Sequence, residues 1–320
     1  MKKLLFCSLV ICMALFASCS KDSSSTGNNG GGGGGNTTVG KKISELYHSE
    51  ENYAYVSYDN GITWTQIGHY ESDNQLKERW HWNNDKITSI DYYHSGQYEY
   101  TYDFSYNSDG LVSQIVRDWE GVEKTVISYN NQTISKFEQY WDGIMQSAWK
   151  LEYSNGKISR IKCEYWNPDN ILAKSQDNIL SKLLNIDVKN FADNFNSKDQ
   201  LPYIDLTWSG NNVRKVELNA SDYPMVESYV YDNKKNPYYG GNSLMATLFI
   251  DADFSILSEN NVTNSTLTEN DETEHYTYSY NYYEDYPMQM SSYSEYTYTS
   301  SDGIYKDTYF DSYSYVYLTE

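Results

Sequence analysis

The residues suited to chemistry are few in this chain, and their spacing decides little. Cys163 is the one cysteine beyond residue 19. A catalytic thiol needs a base beside it to form the thiolate. Lys162, Cys163 and Glu164 have no histidine near them in sequence, so Cys163 reads as a buried, inert thiol. His48, His69, His81, His94 and His275 lack the HExxH pattern and the tight ligand spacing of a zinc site. Asp251 with Asp253, and Asp271 with Glu272 and Glu274, offer oxygens suited to calcium, but without EF-hand spacing they read as solvated loops. Glycoside hydrolysis needs two carboxyl groups about 5–10 Å apart. With 44 Asp and Glu in the chain, sequence cannot choose such a pair. No catalytic residue, metal ligand or cofactor is therefore assigned. The remaining functional signal is aromatic: Trp80, Trp82, Trp119 and Trp141, with Trp149 and Trp166 close behind, stand among 35 tyrosines. Flat rings beside acids and amides suit the C–H faces and hydroxyls of sugars. They also suit strands and fill a curved sheet.

Charge narrows the partners. The formal net charge is -20, which argues against nucleic acid, whose phosphates need Lys and Arg. It also argues against adsorption to anionic lipid. Acid gathers late: Thr268 to Glu320 holds eleven Asp and Glu against Lys306 alone.

The N-terminus supplies another route to a membrane. Lys2 and Lys3 precede an apolar run from Leu4 to Leu15, which has the length of a signal-peptide core and is too short to span a bilayer. Ala17 and Ser18 then stand directly before Cys19. This order resembles the lipobox of bacterial lipoproteins, cut before the cysteine that is then lipidated. The Ser, Asn and Gly-rich stretch to residue 40 reads as a flexible tether. About twenty such residues reach roughly 25 Å.

A repeat organises the body. An aromatic residue opens a short Asn, Asp, Ser and Gly-rich stretch, followed by apolar residues three or four positions apart. The units open at Tyr58, Trp82, Tyr106, Tyr129, Tyr153 and Trp208, with degenerate members at Tyr231 and Tyr280. Spacings of 23 or 24 recur, and the step of 55 from Tyr153 to Trp208 marks an insertion. Asn, Asp and Gly fit tight turns between strands. The flanks alternate, as in Tyr98, Tyr100, Tyr102, Phe104 and Tyr106, placing one set of rings on one face. Eight or nine units predict roughly 14–18 antiparallel strands. A sheet that long must curl, close or split. In the insertion, Leu172, Ile179, Leu180, Leu183 and Leu184 follow helical spacing.

Two resemblances follow from these residues. The hairpin from Tyr153 to Ile161 resembles the YD or RHS-type repeats of bacterial surface proteins. The block from Tyr229 to Gly240, with Leu257 to Asn261, resembles a family of Bacteroidetes lipoproteins of unknown function with a porin-like fold. That resemblance covers most of residues 41–320; it implies a curled antiparallel sheet and supplies no catalytic residues. Separately, Ser57, Asp59, Gly61, Thr63 and Trp64 match the Asp-box of sialidase-type propellers, itself a turn motif. Arg79, Arg117, Arg160 and Arg214 are too scattered to form a sialidase arginine cluster.

The expected organisation is a lipoprotein signal peptide over 1–18, lipidated Cys19 and tether over 19–40, and one all-β domain over 41–320. That domain is a long antiparallel meander of hairpins forming a curled sheet or porin-like open barrel, with a helical insert at about 169–197. A membrane-embedded barrel is disfavoured by the polar composition. The expected protein is a non-enzymatic binding module on the outer membrane, at its periplasmic face or the cell surface. A glycan is the first choice of ligand. A structural or protein-interaction role, and then a glycoside hydrolase with paired carboxylates, are the alternatives.

Overall fold

A computed structural model describes residues 42–119, 121–167, 201–219, 224–236, 239, 254–269 and 272–318. The signal sequence, Cys19, the tether, the helical insert, Asp251, Asp253 and Asp271 lie outside these residues.

The described chain is all-β. In order, the strands are β1 Ile43–Ser57, β2 Thr65–Asn83, β3 Lys86–His94, β4 Gln97–Tyr106, β5 Val112–Asp118, β6 Val122–Asn130, β7 Thr133–Trp141 and β8 Ile144–Ser154. They continue with β9 Lys157–Trp166, β10 Tyr203–Ser209, β11 Asn212–Asn219, β12 Met225–Lys235, β13 Asn260–Glu269, β14 Glu272–Tyr283, β15 Tyr286–Ser300 and β16 Gly303–Tyr317. Each strand pairs antiparallel with its neighbour in sequence, and β1 pairs β16, so the meander closes into a sixteen-stranded barrel. The expected curl therefore goes to full closure, with Leu46 opposite Tyr315 and His48 opposite Tyr313. Closure removes the unpaired edges a meander otherwise exposes.

All sixteen strands contribute to a single apolar cluster, from Ile43 and Leu46 on β1 to Tyr313 and Tyr315 on β16. In a single-layer closed sheet only the inner face is shielded from solvent, and these side chains are almost fully buried, so the apolar face points inward. The outer wall carries ion pairs: Arg160 with Asp205 (2.6 Å), Lys215 with Glu217 (2.7 Å), Lys136 with Glu138 (3.0 Å) and Arg79 with Glu45 (3.0 Å). A lipid-facing barrel has the opposite polarity, and each Lys or Arg at a bilayer midplane costs about 2–4 kcal/mol.

The repeat has a structural cause. Near the end of every even-numbered strand, an aromatic side chain donates a hydrogen bond to the backbone carbonyl at the start of the preceding odd-numbered strand. Trp82 reaches Ile43, Tyr106 reaches Ile87, Tyr129 reaches Val112 and Tyr153 reaches Ile134, at 2.7–2.8 Å. Trp208 reaches Ile158, Tyr231 reaches Val213, Tyr280 reaches Val262 and Tyr317 reaches Pro287, at 2.5–2.9 Å. Lysines at odd-strand starts cover some of these rings, Lys86 at 4.8 Å from the Tyr106 centroid and Lys157 at 5.2 Å from that of Trp208. Eight hairpins are thus stitched at one end of the barrel. A short 3-10 turn, η1 (Phe254–Leu257), buries all four of its residues at that same end, against β11.

Tyr58 is not a ninth member. It lies at the opposite end, 74% exposed, in the β1–β2 turn. That turn is the Asp-box, and it behaves as a turn. The Asp59 carboxylate accepts from Thr63 N (2.8 Å), Thr63 Oγ1 (2.6 Å) and Ser57 Oγ (2.7 Å). These bonds, that from the Thr63 hydroxyl foremost, hold the Asp59 carboxyl down at about 2.

Candidate functional site

The two ends of the barrel differ. At the stitched end the apolar cluster is joined by a few buried polar groups, Asn236, Ser258 and Asn261, whereas towards the other end polar and aromatic side chains form a belt on the inner wall from β16 to β7. On β16 and β1, Asp311 Oδ1 lies 2.7 Å from His48 Nε2, and the His48 ring stacks on Tyr313 at 4.6 Å. Lys77 Nζ sits 5.4 Å from the Tyr313 centroid. On β2, Glu78 is fully buried and accepts from Trp80 Nε1 at 2.9 Å. Burial pushes its carboxyl up, against the opposing pull of Lys77. Tyr92 on β3 follows, stacked with Tyr100 of β4 at 5.3 Å.

The belt then reaches Arg117 on β5. Its guanidinium is 1% exposed and lies 5.0 Å from the Tyr100 centroid, 5.6 Å from Tyr102 and 5.5 Å from Trp119. Arg117 Nη2 meets Glu123 Oε2 at 2.6 Å, and Glu123 stands opposite Trp141 in the β6–β7 register. A cation enclosed by rings and paired with a carboxylate fixes all of those rings. The turns around it interlock: Trp119 N donates to Gly121 O (3.1 Å), Asp142 N to Val122 O (2.9 Å) and Val122 N to Asp142 Oδ1 (2.9 Å).

The four tryptophans singled out from sequence take three different positions. Trp80 is 4% exposed, with its N–H spent on Glu78, so it offers no face to a ligand. Trp82 stacks on Trp80 at 6.3 Å and is a member of the stitching ring. Trp119 and Trp141 are half-buried at the far rim, one on each side of the Arg117–Glu123 pair. Sequence reasoning missed Tyr100 and Arg117. The available signal was an arginine two residues after Ile115 and two before Trp119, and so on the same strand face as Ile115. Cys163 is fully buried, and burial pushes its thiol up to about 12, in keeping with an inert role.

No protein-family model matches the sequence, and no curated protein matches it significantly. Among solved structures, a porin-like protein from Bacteroides uniformis is similar at 9% identity and a TM-score of 0.44, over 84% of this chain and 96% of that one. A porin-like protein from Bacteroides vulgatus is similar at 9% identity and a TM-score of 0.35, over 88% of this chain and all of the other.

Proposed function

We propose that this chain is a non-enzymatic binding module, held at the outer membrane through lipid on Cys19, and that it takes a glycan at the rim formed by Tyr100, Trp119 and Trp141. The observation that carries the reading is the set of half-buried rings locked around the buried Arg117–Glu123 pair. Rigid aromatic faces bind at low cost in conformational entropy. The acidic chain around them supplies acceptors for hydroxyl groups. The belt carboxyls offer no free acid at the rim, because Glu78 and Asp311 are buried at 0% and 3% exposure and Glu123 is paired with Arg117. Edge-strand pairing with a protein partner is disfavoured by barrel closure.

The test is a glycan-array screen of the purified full chain, followed by calorimetry on any hit. Trp119→Ala and Trp141→Ala should each weaken binding at least about tenfold, or about 1.4 kcal/mol. Tyr58→Ala, at an exposed turn, should leave it unchanged. Absence of binding across the array, or binding indifferent to both tryptophans, refutes the glycan reading.

A further inference from the structure

On the outer wall near the same end, β1 and β2 place three potential metal ligands on one face. His69 and Glu71 are two residues apart on β2, so their side chains project to the same side. In the β1–β2 register Glu51 is directly opposite Glu71, and Tyr53 is opposite His69. One ligand atom from each of Glu51, His69 and Glu71 falls within 4.8 Å of the others.

We propose that Glu51, His69 and Glu71 form a zinc-class divalent cation site. The inward-facing wall contributes nothing to it, so it is separate from the rim assigned to glycan. Zinc bonds to nitrogen and carboxylate oxygen at about 2.0–2.2 Å, which makes the edge of a tetrahedral site about 3.3 Å. His69 Nε2 and Glu51 Oε1 are already 3.5 Å apart. Glu71 closes the third corner by a side-chain rotation, since the widest ligand separation is 4.8 Å. The fourth position faces solvent and takes water. One imidazole with two carboxylates is a mixed nitrogen and oxygen set, which favours zinc and its neighbours over calcium or magnesium, which prefer oxygen alone.

The surroundings are built to hold the ligands. The Tyr53 ring stacks on His69 at 4.6 Å with planes 12° apart, and its hydroxyl donates to the Glu51 carboxylate. One residue thus orients two of the three ligands, the role outer-shell partners play in metal sites. Two carboxylates left close together without a cation repel one another. Bound zinc neutralises them in a chain whose net charge is already -20.

The experiment is calorimetric titration of the untagged, chelator-treated full chain with zinc, with cobalt as the spectroscopic substitute. One equivalent of zinc should bind, and cobalt should give a tetrahedral visible spectrum. His69→Ala and Glu71→Gln should each abolish that saturable binding. Tyr53→Phe should weaken it about tenfold to a hundredfold, the effect of losing an outer-shell partner. His81→Ala, removing an exposed histidine paired with Asp91 on another part of the wall, should bind as the unaltered chain does. All these positions are at least partly exposed, and far-UV circular dichroism checks that each variant folds. No one-to-one binding, or binding that survives both His69→Ala and Glu71→Gln, overturns the proposal.

Discussion

The stitching ring gives the sharpest test of how this barrel holds together. Tyr106, Tyr129 and Tyr153 sit on consecutive hairpins and donate to Ile87, Val112 and Ile134 at 2.7, 2.8 and 2.8 Å. Tyr→Phe at each removes one hydroxyl and leaves the ring's packing in place. A net contribution of about 1 kcal/mol per bond predicts about 3 kcal/mol for the triple variant, because the sites share no partner and should add. Urea unfolding at pH 7 measures this as a lower midpoint with an unchanged slope. The same hydroxyls make a second, independent prediction. Burial raises all three phenols above their ordinary value of 10, Tyr129 to about 12. Below pH 10 the hydroxyls are neutral whether the chain is folded or not, and their contribution is fully present. As pH rises from 10 through the folded values, only the unfolded chain ionises freely, so that contribution is lost. The unaltered barrel should therefore lose stability steeply above pH 10, and the triple variant less steeply. A triple variant within about 0.5 kcal/mol of the original at pH 7, with an identical alkaline limb, would refute the idea that these hydrogen bonds fasten the hairpins.

Two further outcomes are expected. A Cβ at Gly121, whose φ is +143°, would fall 2.6 Å from Trp141 Cζ2, whereas one at Gly143, φ +80°, would meet nothing within 4 Å. Both Gly→Ala changes strain the backbone, but only Gly121→Ala must also push the indole back by about 1 Å. It should cost about 1–3 kcal/mol more and shift tryptophan fluorescence, and equal losses for the two variants would show that the rim is soft. Cys163, buried and with its thiol held up at about 12, should resist thiol reagents in the native protein and react once urea unfolds it; native-state labelling at the unfolded rate would contradict the dry inner wall.

The units opening at Trp82, Tyr106, Tyr129, Tyr153, Trp208, Tyr231 and Tyr280 made most of the ring legible, because each ring member directly precedes or lies near a tight turn. Tyr58 shares their turn residues and spacing, and neither tells which end of a barrel a turn occupies. The missing member, Tyr317, lacks the Asn, Asp, Ser and Gly-rich stretch that marks the others, being followed by Leu318 and Thr319. Closure was not legible either: it depends on pairs such as Leu46 with Tyr315, far apart in sequence and encoded by no local signal. The tryptophans show a related limit. Trp80 and Trp82 project from the same side of β2, yet their depths along the barrel axis, and so their roles, are set by neighbouring strands. Trp82 carried a usable warning, since the turn after it marks a repeat anchor and competes with any ligand role. Likewise His69 and Glu71 are visibly two apart, but Glu51 joins them only through the β1–β2 register.

The polarity of the wall confines where this protein can act. Sixteen strands closed on a circle ordinarily leave an aqueous channel. Here the inner wall carries an apolar cluster touching every strand, and one end is fastened by eight aromatic hydrogen bonds and packed by η1. A polar solute pressed against that apolar cluster gives up hydration, while buried Asn236, Ser258 and Asn261 keep some polar groups at the stitched end. Charged groups of the inner wall, among them Asp311, His48, Lys77, Glu78, Arg117 and Glu123, lie towards the other end and meet a ring or an opposite charge, whereas Asp232 accepts from Tyr282 near the stitched end. The two proposed sites lie outside that apolar interior, Trp119 and Trp141 at the rim and Glu51, His69 and Glu71 on the outer wall.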